Sequence, residues 1–449
     1  MAMFNESEAR AILEKTIGFS TADECIATLN GEIEGNVRFA RNTVSTSGLV
    51  DQTTLAVQVA FGKRVGTATI NRFDDASLER VVRRAEELAR LAPENEEFMP
   101  AVEKQSYAAT PTFVKATADI TPEYRSQVAA DSIKPCREQD LVAAGFLSDT
   151  RGFVATANSN GNFGYQTLTG MDYTCTVRTA DDAGSGWVAR NLADASKFSA
   201  SSEIRTAITK AKGSAEARAL EPGKYTVVLE PAAVSGLLMF MLFGFDARQA
   251  DEGRSFLSKK GGGNRLGEKL FDERVNAFAD PANADVPVLP WDGDGLVRDR
   301  RPIIENGVVK HLNYSRYWAK KQGIDPVPQP GNIIMAGGEK TTEELVASTR
   351  RGILVTRTWY IRMVDPQTVL LTGLTRDGTF YIENGEVKYP VKNFRFNESP
   401  VIMLNNIEEL GKSIRINAGA GVGGGQGIAM MVPALKVRDF TFTSLSDAV

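Results

Sequence analysis

The spacing of apolar positions changes several times along the chain, and each change marks an element. Residues 5–17 put Ala9, Ile12 and Leu13 on one face of a helix. The stretches ADECIATLNGE, NVRFARNTVSTSG and TTLAVQVAFGKRVGTATIN then alternate. Leu55, Val57 and Val59 share a face, as in half-buried antiparallel strands, and residues 62–66 supply a hairpin turn. DASLERVVRRAEELARLA, residues 75–92, reads as an amphipathic helix capped by Asp75 or Ser77. Pro93, Pro100 and Pro111 make 93–118 a crossing loop, and residues 122–131 suggest another helix. Strand patterns return from 141 to 190 as short runs such as LVAAGFLSDT and GFVATANSNG, and residues 203–217 look helical. Sheet and helix are segregated rather than strictly alternating. The spacing therefore predicts an α+β N-terminal domain over 1–220, resembling an α/β sandwich with an antiparallel sheet.

EPGK at 221–224 is a turn and marks the expected boundary of a second domain, 221–449. That domain starts with the strand YTVVL and the run PAAVSGLLMFMLFGF, residues 231–245. The run has almost no polar face, so a helix formed by it is expected to be buried on all sides, within the fold or against a partner. The remainder reads as β-rich. IIENGVVKHLN and YIENGEVKYPV each carry Asn-Gly between strand-forming flanks, which predicts two hairpins. NAGAGVGGGQG at 417–427 is a glycine loop followed by the strand pattern VPALKVRDFTFTS.

Composition narrows the functional classes. With 52 Lys and Arg against 56 Asp and Glu, the net charge is −4, which disfavours a protein that coats DNA. No apolar run reaches membrane-spanning length, and the first residues do not resemble a secretion signal, so a cytoplasmic protein is expected. Cys25, Cys136 and Cys175 are widely spaced and suggest buried free thiols. There is one histidine, His311, so no His–His metal pair can form within the chain. His311 with Asp292 or Asp294 is the remaining option for an unconventional metal site, against the simpler reading of WDGDG (291–295) as a solvated turn.

Neither Gly261–Gly263 nor the late glycine loop supplies the GxxxxGK[ST] of a phosphate-binding loop. The late loop does have GxGxxG-like spacing, but a strand pattern follows it where dinucleotide binding needs a helix. Gly423, Gly424, Gly425 and Gln426 remain candidates for close approach by a peptide or partner. Arg254 and Ser255, beside Lys259 and Lys260, are candidates for contacting a peptide carboxylate or an acidic partner surface; the alternative is a solvated face.

The succession LEPAAVSGLL, GRSFLSKKGG, WDGDGLVRDRRPIIENGVV, GILVTRTWYIRMVDPQTVLLTGLTRDGTFYIENGEVKYPV and the glycine loop resembles the TldD/PmbA (TldD/TldE) family over nearly the whole chain. Catalytic TldD-like members carry an HExxxH helix and a late cysteine that hold zinc. On that alignment the two histidines fall on Phe240 and Phe245, the glutamate on Met241 and the cysteine near Gly421. The departure resembles the PmbA/TldE branch. The resemblance implies a chain with no cofactor of its own, acting as the non-catalytic subunit of a heterodimeric zinc metalloprotease. Zinc would sit in a TldD-type partner, and unstructured peptides would be the substrates. Two other readings remain: an autonomous homodimer that binds peptides or another ligand, and a regulator associated with DNA gyrase.

Overall fold

A computed structural model describes residues 3–418 and 428–446. Among them, the first half forms one antiparallel six-stranded sheet. Its strands are β1 (Glu24–Ala40), β2 (Thr43–Phe61), β3 (Arg64–Ile70), β4 (Leu141–Asn158), β5 (Phe163–Thr179) and β6 (Ser185–Leu192), in the order β3-β2-β1-β4-β5-β6. The helices are α1 (Glu6–Gly18), α2 (Asp75–Leu91), a single turn α3 (Lys115–Ala118), α4 (Pro122–Arg137) and α5 (Ala200–Gly213). Odd-numbered residues of β1, β2, β4 and β5 face these helices. Leu29, Leu55 and Phe153 pack with Leu13 and Val82 in one core. Val37, Phe39, Leu147 and Tyr173 pack with Ala129 and Ile204 in a second. The two-layer α+β arrangement agrees with the period-two pattern.

The strands are longer than the sequence suggests. The runs ADECIATLNGE and NVRFARNTVSTSG are joined by β1, which passes through Gly31 and Gly35, and LVAAGFLSDT and GFVATANSNG are joined by β4, which passes through Gly152. The glycines make room for side chains lying across the sheet. A Cβ on Gly31 would sit 2.2 Å from the Phe153 ring, and one on Gly35 would sit 1.8 Å from the Arg125 guanidinium. That guanidinium is held by Asp149, at 2.6 and 3.0 Å. The cap of α2 also differs from expectation. Asp74 accepts from the Ser77 amide at 3.0 Å, so neither Asp75 nor Ser77 is the cap.

The second half contains β7 (Gly223–Leu229), α6 (Pro231–Phe243), α7 (Ala247–Asp251), β8 (Ala277–Ala279), β9 (Arg301–Glu305), β10 (Val308–Val309), α8 (Arg316–Gln322) and β11 (Asn332–Met335). It continues with α9 (Thr342–Ala347), β12 (Arg351–Asp365), β13 (Leu370–Glu383), β14 (Glu386–Pro390), β15 (Phe394–Glu398), α10 (Pro400–Asn405), β16 (Ile407–Ala418) and β17 (Ile428–Leu445). These strands make an eleven-stranded sheet. Part of it closes on itself: β7 pairs with β12 and with β17, and β15 and β13 complete the ring. Phe394, Phe396, Phe440 and Phe442 fill the interior, with Phe394 and Phe442 stacked at 4.5 Å. Both Asn-Gly sites turn hairpins, β9–β10 and β13–β14. Asn306 and Asn384 take φ of 50° and 52° and the following glycines 76° and 79°, as a two-residue turn with positive φ requires.

Buried polar contacts join the two halves. Asp377 accepts from Arg357 Nε at 2.6 Å and from Ser185 Oγ at 2.5 Å, and the Arg357 guanidinium lies over the rings of Trp187 and Trp359. Tyr107 donates to the Gly295 carbonyl at 2.6 Å and packs on Trp291. Lys210, in the last turn of α5, pairs with Glu230 at 2.7 Å, just ahead of α6.

Candidate functional site

The helix α6 begins cleanly because Glu230 is extended and Pro231 occupies the first turn, where a missing N–H costs nothing. Gly244 ends it. Val234, Leu237, Leu238 and Met241 enter the main core of the second half, and Thr358 Oγ1 donates to the Ala233 carbonyl at 3.4 Å. Burial on every side, expected from composition, does not hold for the chain by itself. Met239, Phe240 and Leu242 are half-buried, and Phe243 is 55% exposed while meeting Phe240 edge to face at 6.2 Å. The neighbouring α10 leaves Ile402 54% exposed.

Phe240, Met241 and Phe245 therefore have distinct settings. Phe240 lies under the exposed stripe, whereas Met241 is sealed in the core at 2% exposure. Phe245 follows the helix end. It is also 2% exposed, packs on Phe256 at 5.9 Å, and its carbonyl accepts from the Asn313 amide. Zinc needs nitrogen, oxygen or sulfur donors in tetrahedral convergence. Two benzyl groups and a core thioether do not fit that requirement, and none of the three can take a proton from water. Among the described residues, no three His, Cys, Asp or Glu side chains gather in a metal-holding group.

Ser255 is buried at 3% exposure. Its hydroxyl donates to the Gly244 carbonyl at 2.6 Å and accepts from the Leu257 amide at 3.1 Å. Both bonds hold the end of α6, so the Ser255 hydroxyl, a candidate peptide contact in the sequence, is engaged within the chain. Arg254 is exposed and paired with Glu252, while Lys259 pairs with Glu268 at 3.1 Å. Gly421, Gly423, Gly424, Gly425 and Gln426 lie outside the described residues.

His311 lies beside a cleft in the second half, and its Nδ1 is 2.5 Å from the Pro302 carbonyl. Asp292 is not in a solvated turn. It is buried, and its oxygens accept from the amides of Asp294, Leu296 and Gln329, which leaves it spent on loop geometry. The three cysteines are buried and free. Burial pushes the Cys25 and Cys136 thiols up to about 11 and that of Cys175 to about 12, so none is a ready nucleophile. Sequence reasoning missed the serine lock at Gly244 and the Arg357–Asp377 junction. Both join residues with no common motif. Only the polar interruption of an apolar strand at Arg376 and Asp377 hinted at the second.

A family profile described as the PmbA/TldA metallopeptidase C-terminal domain matches residues 222–444, and one described as PmbA/TldA metallopeptidase domain 1 matches residues 27–89. A metalloprotease of Archaeoglobus fulgidus is 28% identical over 214 residues, 44% of this chain and 47% of the relative. The metalloprotease PmbA of Escherichia coli O157:H7 is 26% identical over 153 residues, 33% of this chain and 32% of the relative. The chain thus spans about half or less of the length of the curated relatives it matches. The crystal structure of TldE from Thermococcus kodakarensis superposes with a TM-score of 0.83 at 17% identity, covering 97% of this chain and 99% of that one, which shows a common fold. None of the helices among the described residues is long and apolar enough to cross a membrane. Fold, profile matches and metalloprotease relatives agree: the chain belongs to the PmbA/TldD metalloprotease family.

Proposed function

We propose that this chain is a non-catalytic subunit that joins a zinc-bearing HExxxH relative in the cytoplasm, and that the pair acts on unstructured peptides. The observation that carries this reading is the donor-free set Phe240, Met241 and Phe245 on and just after α6. An inactive centre alone does not require a partner. The exposed apolar residues Phe243 and Ile402 on the adjoining helices supply a second reason, because such groups favour being covered. A third is the free edge of β2. Its first dozen residues, from Thr43, pair with β1 alone among the described strands, since β3 meets only Leu55–Phe61. An open edge accepts an extended strand through backbone bonds, with little demand on sequence.

The test is purification of the chain from its native cell, with metal analysis and cleavage of a disordered peptide. The expected result is a 1:1 complex with an HExxxH relative that holds zinc in the relative and cleaves only when joined. Stoichiometric zinc and peptide cleavage by the purified chain alone would overturn the proposal, as would a lone symmetric dimer that never associates with such a relative.

A further inference from the structure

The cleft beside His311 is separate from α6 and unused by the function proposed above. It is a small cleft, partly open to solvent. Its lining combines apolar Pro281, Val288 and Pro328 with Arg298, Arg301 and His311. Asn313 also lines it, and its backbone pairs with Phe245 and Ala247 where the segment after α6 turns back.

The charges around the cleft are unequally matched. Arg301 is held in a fork by Asp299 at 3.1 and 3.2 Å, and Arg300 reaches Asp280 at 3.8 Å while lying over Phe278. Arg298 donates only to backbone carbonyls, from Nε to Gln329 at 2.8 Å and from Nη1 to Leu289 at 3.2 Å. Among the described residues it has no carboxylate within ion-pairing distance. The charge of Asp292 acts on it, but that carboxylate is occupied by backbone amides. Burial holds the pKa of the Arg298 guanidinium below its ordinary value, the mark of a desolvated cation. Arg298 is half-buried, so its charge is only partly solvated and gains from a counterion, and a guanidinium fixed by two carbonyls keeps its other N–H groups in a plane suited to a carboxylate. With Nδ1 of His311 directed at the Pro302 carbonyl, the hydrogen bond places the proton on Nδ1 and leaves Nε2 as the ring's second polar atom.

We propose that this cleft binds a carboxylate carried on an apolar group, with Arg298 taking the carboxylate and the apolar lining residues taking the apolar part. A free peptide C-terminus ending in an apolar residue and a small aryl or alkyl acid share this chemistry. The proposal goes beyond the partner reading, and neither depends on the other.

Because the chain has one histidine, its imidazole protons form a single NMR spin system that reports on the cleft. The experiment titrates the full chain with phenylacetate, with acetyl-Ala-Phe bearing a free C-terminus, and with the same dipeptide as its C-terminal amide. Inorganic phosphate is the fourth probe. The expected result is a saturable shift of the His311 signals with both carboxylates and none with the amide or phosphate. Binding of the free dipeptide at tenfold lower concentration than phenylacetate identifies a peptide end as the ligand, and equal binding identifies a small acid. R298Q is expected to remove the shift and R298K to restore only part of it. R301Q, which disturbs only the rim pair with Asp299, is expected to weaken binding less and serves as the reading should R298Q fail to fold. No saturable shift with either carboxylate overturns the proposal, as does an equal response to the amide or to phosphate. Loss of partner association or of zinc chemistry elsewhere leaves these readings unchanged.

Discussion

Replacing Asp377 tests how the two halves are held together. Its side chain is 1% exposed and accepts from Arg357 and from Ser185, so Asp377→Ala leaves a buried guanidinium and a buried hydroxyl without their acceptor. Breaking a buried ion pair from one side costs about 3–5 kcal/mol. Asp377 also sits at φ 55°, where alanine is strained by about a further 1–2 kcal/mol and asparagine is tolerated. The expected total for Asp377→Ala is about 4–7 kcal/mol. Asp377→Asn keeps the backbone and one acceptor oxygen and loses the charge and the second acceptor, so about 1.5–3 kcal/mol is expected. Adding Arg357→Met to Asp377→Asn removes the stranded cation and is expected to recover a large part of that loss. The assay is urea unfolding followed by tryptophan fluorescence, since Trp187 and Trp359 flank the Arg357 guanidinium and report on this junction directly. A cost for Asp377→Ala below about 1 kcal/mol, equal costs for the alanine and asparagine variants, or a double variant as unstable as the sum of its parts would refute the role of the Arg357–Asp377 pair.

Two further predictions concern the supports of α6 and of the β16–β17 pair. Ser255→Ala leaves the Gly244 carbonyl and the Leu257 amide unsatisfied in a buried setting, and a loss of about 1–3 kcal/mol is expected in thermal or chemical unfolding; an unchanged midpoint would refute the bracing role. Glu409 is held down at about 2 by Lys340, with Lys436 and Ser348 adding to the effect against the opposing influence of burial. A carboxyl whose folded pKa is depressed stabilises the fold above its unfolded value, here 4.5, and loses that contribution as pH falls through the folded value. The stability gap between the wild-type chain and Glu409→Gln should therefore be constant near neutrality and close between about pH 4.5 and 2. A gap that widens on acidification contradicts the assignment.

Period and turn chemistry made much of this architecture readable. Leu55, Val57 and Val59 revealed the helix-covered face of β2, and the two Asn-Gly pairs located hairpins because few other residues accept positive φ twice in succession. Glycine misled where its role was tertiary. Gly31 and Gly35 resemble strand ends until Phe153 and Arg125, which lie 122 and 90 positions further along the chain, are placed against them. The site was legible as a substitution of chemistry, since Phe240, Met241 and Phe245 have no donor nitrogen or oxygen in their side chains. Its surface was not. An all-apolar helix gives no period from which to tell the face of Leu237 from that of Phe243, and only the packing on β12, β16 and β17 distinguishes them. The cleft at Arg298 was hidden for a related reason: its lining comes from four separate segments, within 279–288, 298–303, 311–313 and 327–332, whose meeting no local pattern encodes.

The ring of β7, β12, β13, β15 and β17 has a consequence for synthesis. β7 leaves the ribosome with both edges open, and its parallel neighbour at Ile353–Val355 emerges about 120 residues later. Its antiparallel neighbour at Leu435–Phe442 emerges about 200 residues later. At roughly 5–20 residues per second, that is an exposure of ten seconds or more for a strand reading YTVVL, followed at once by the most apolar helix in the chain. The nascent second half therefore carries an adhesive segment through most of its own translation, and slowing elongation after residue 243 should raise the fraction lost to aggregation or chaperone capture.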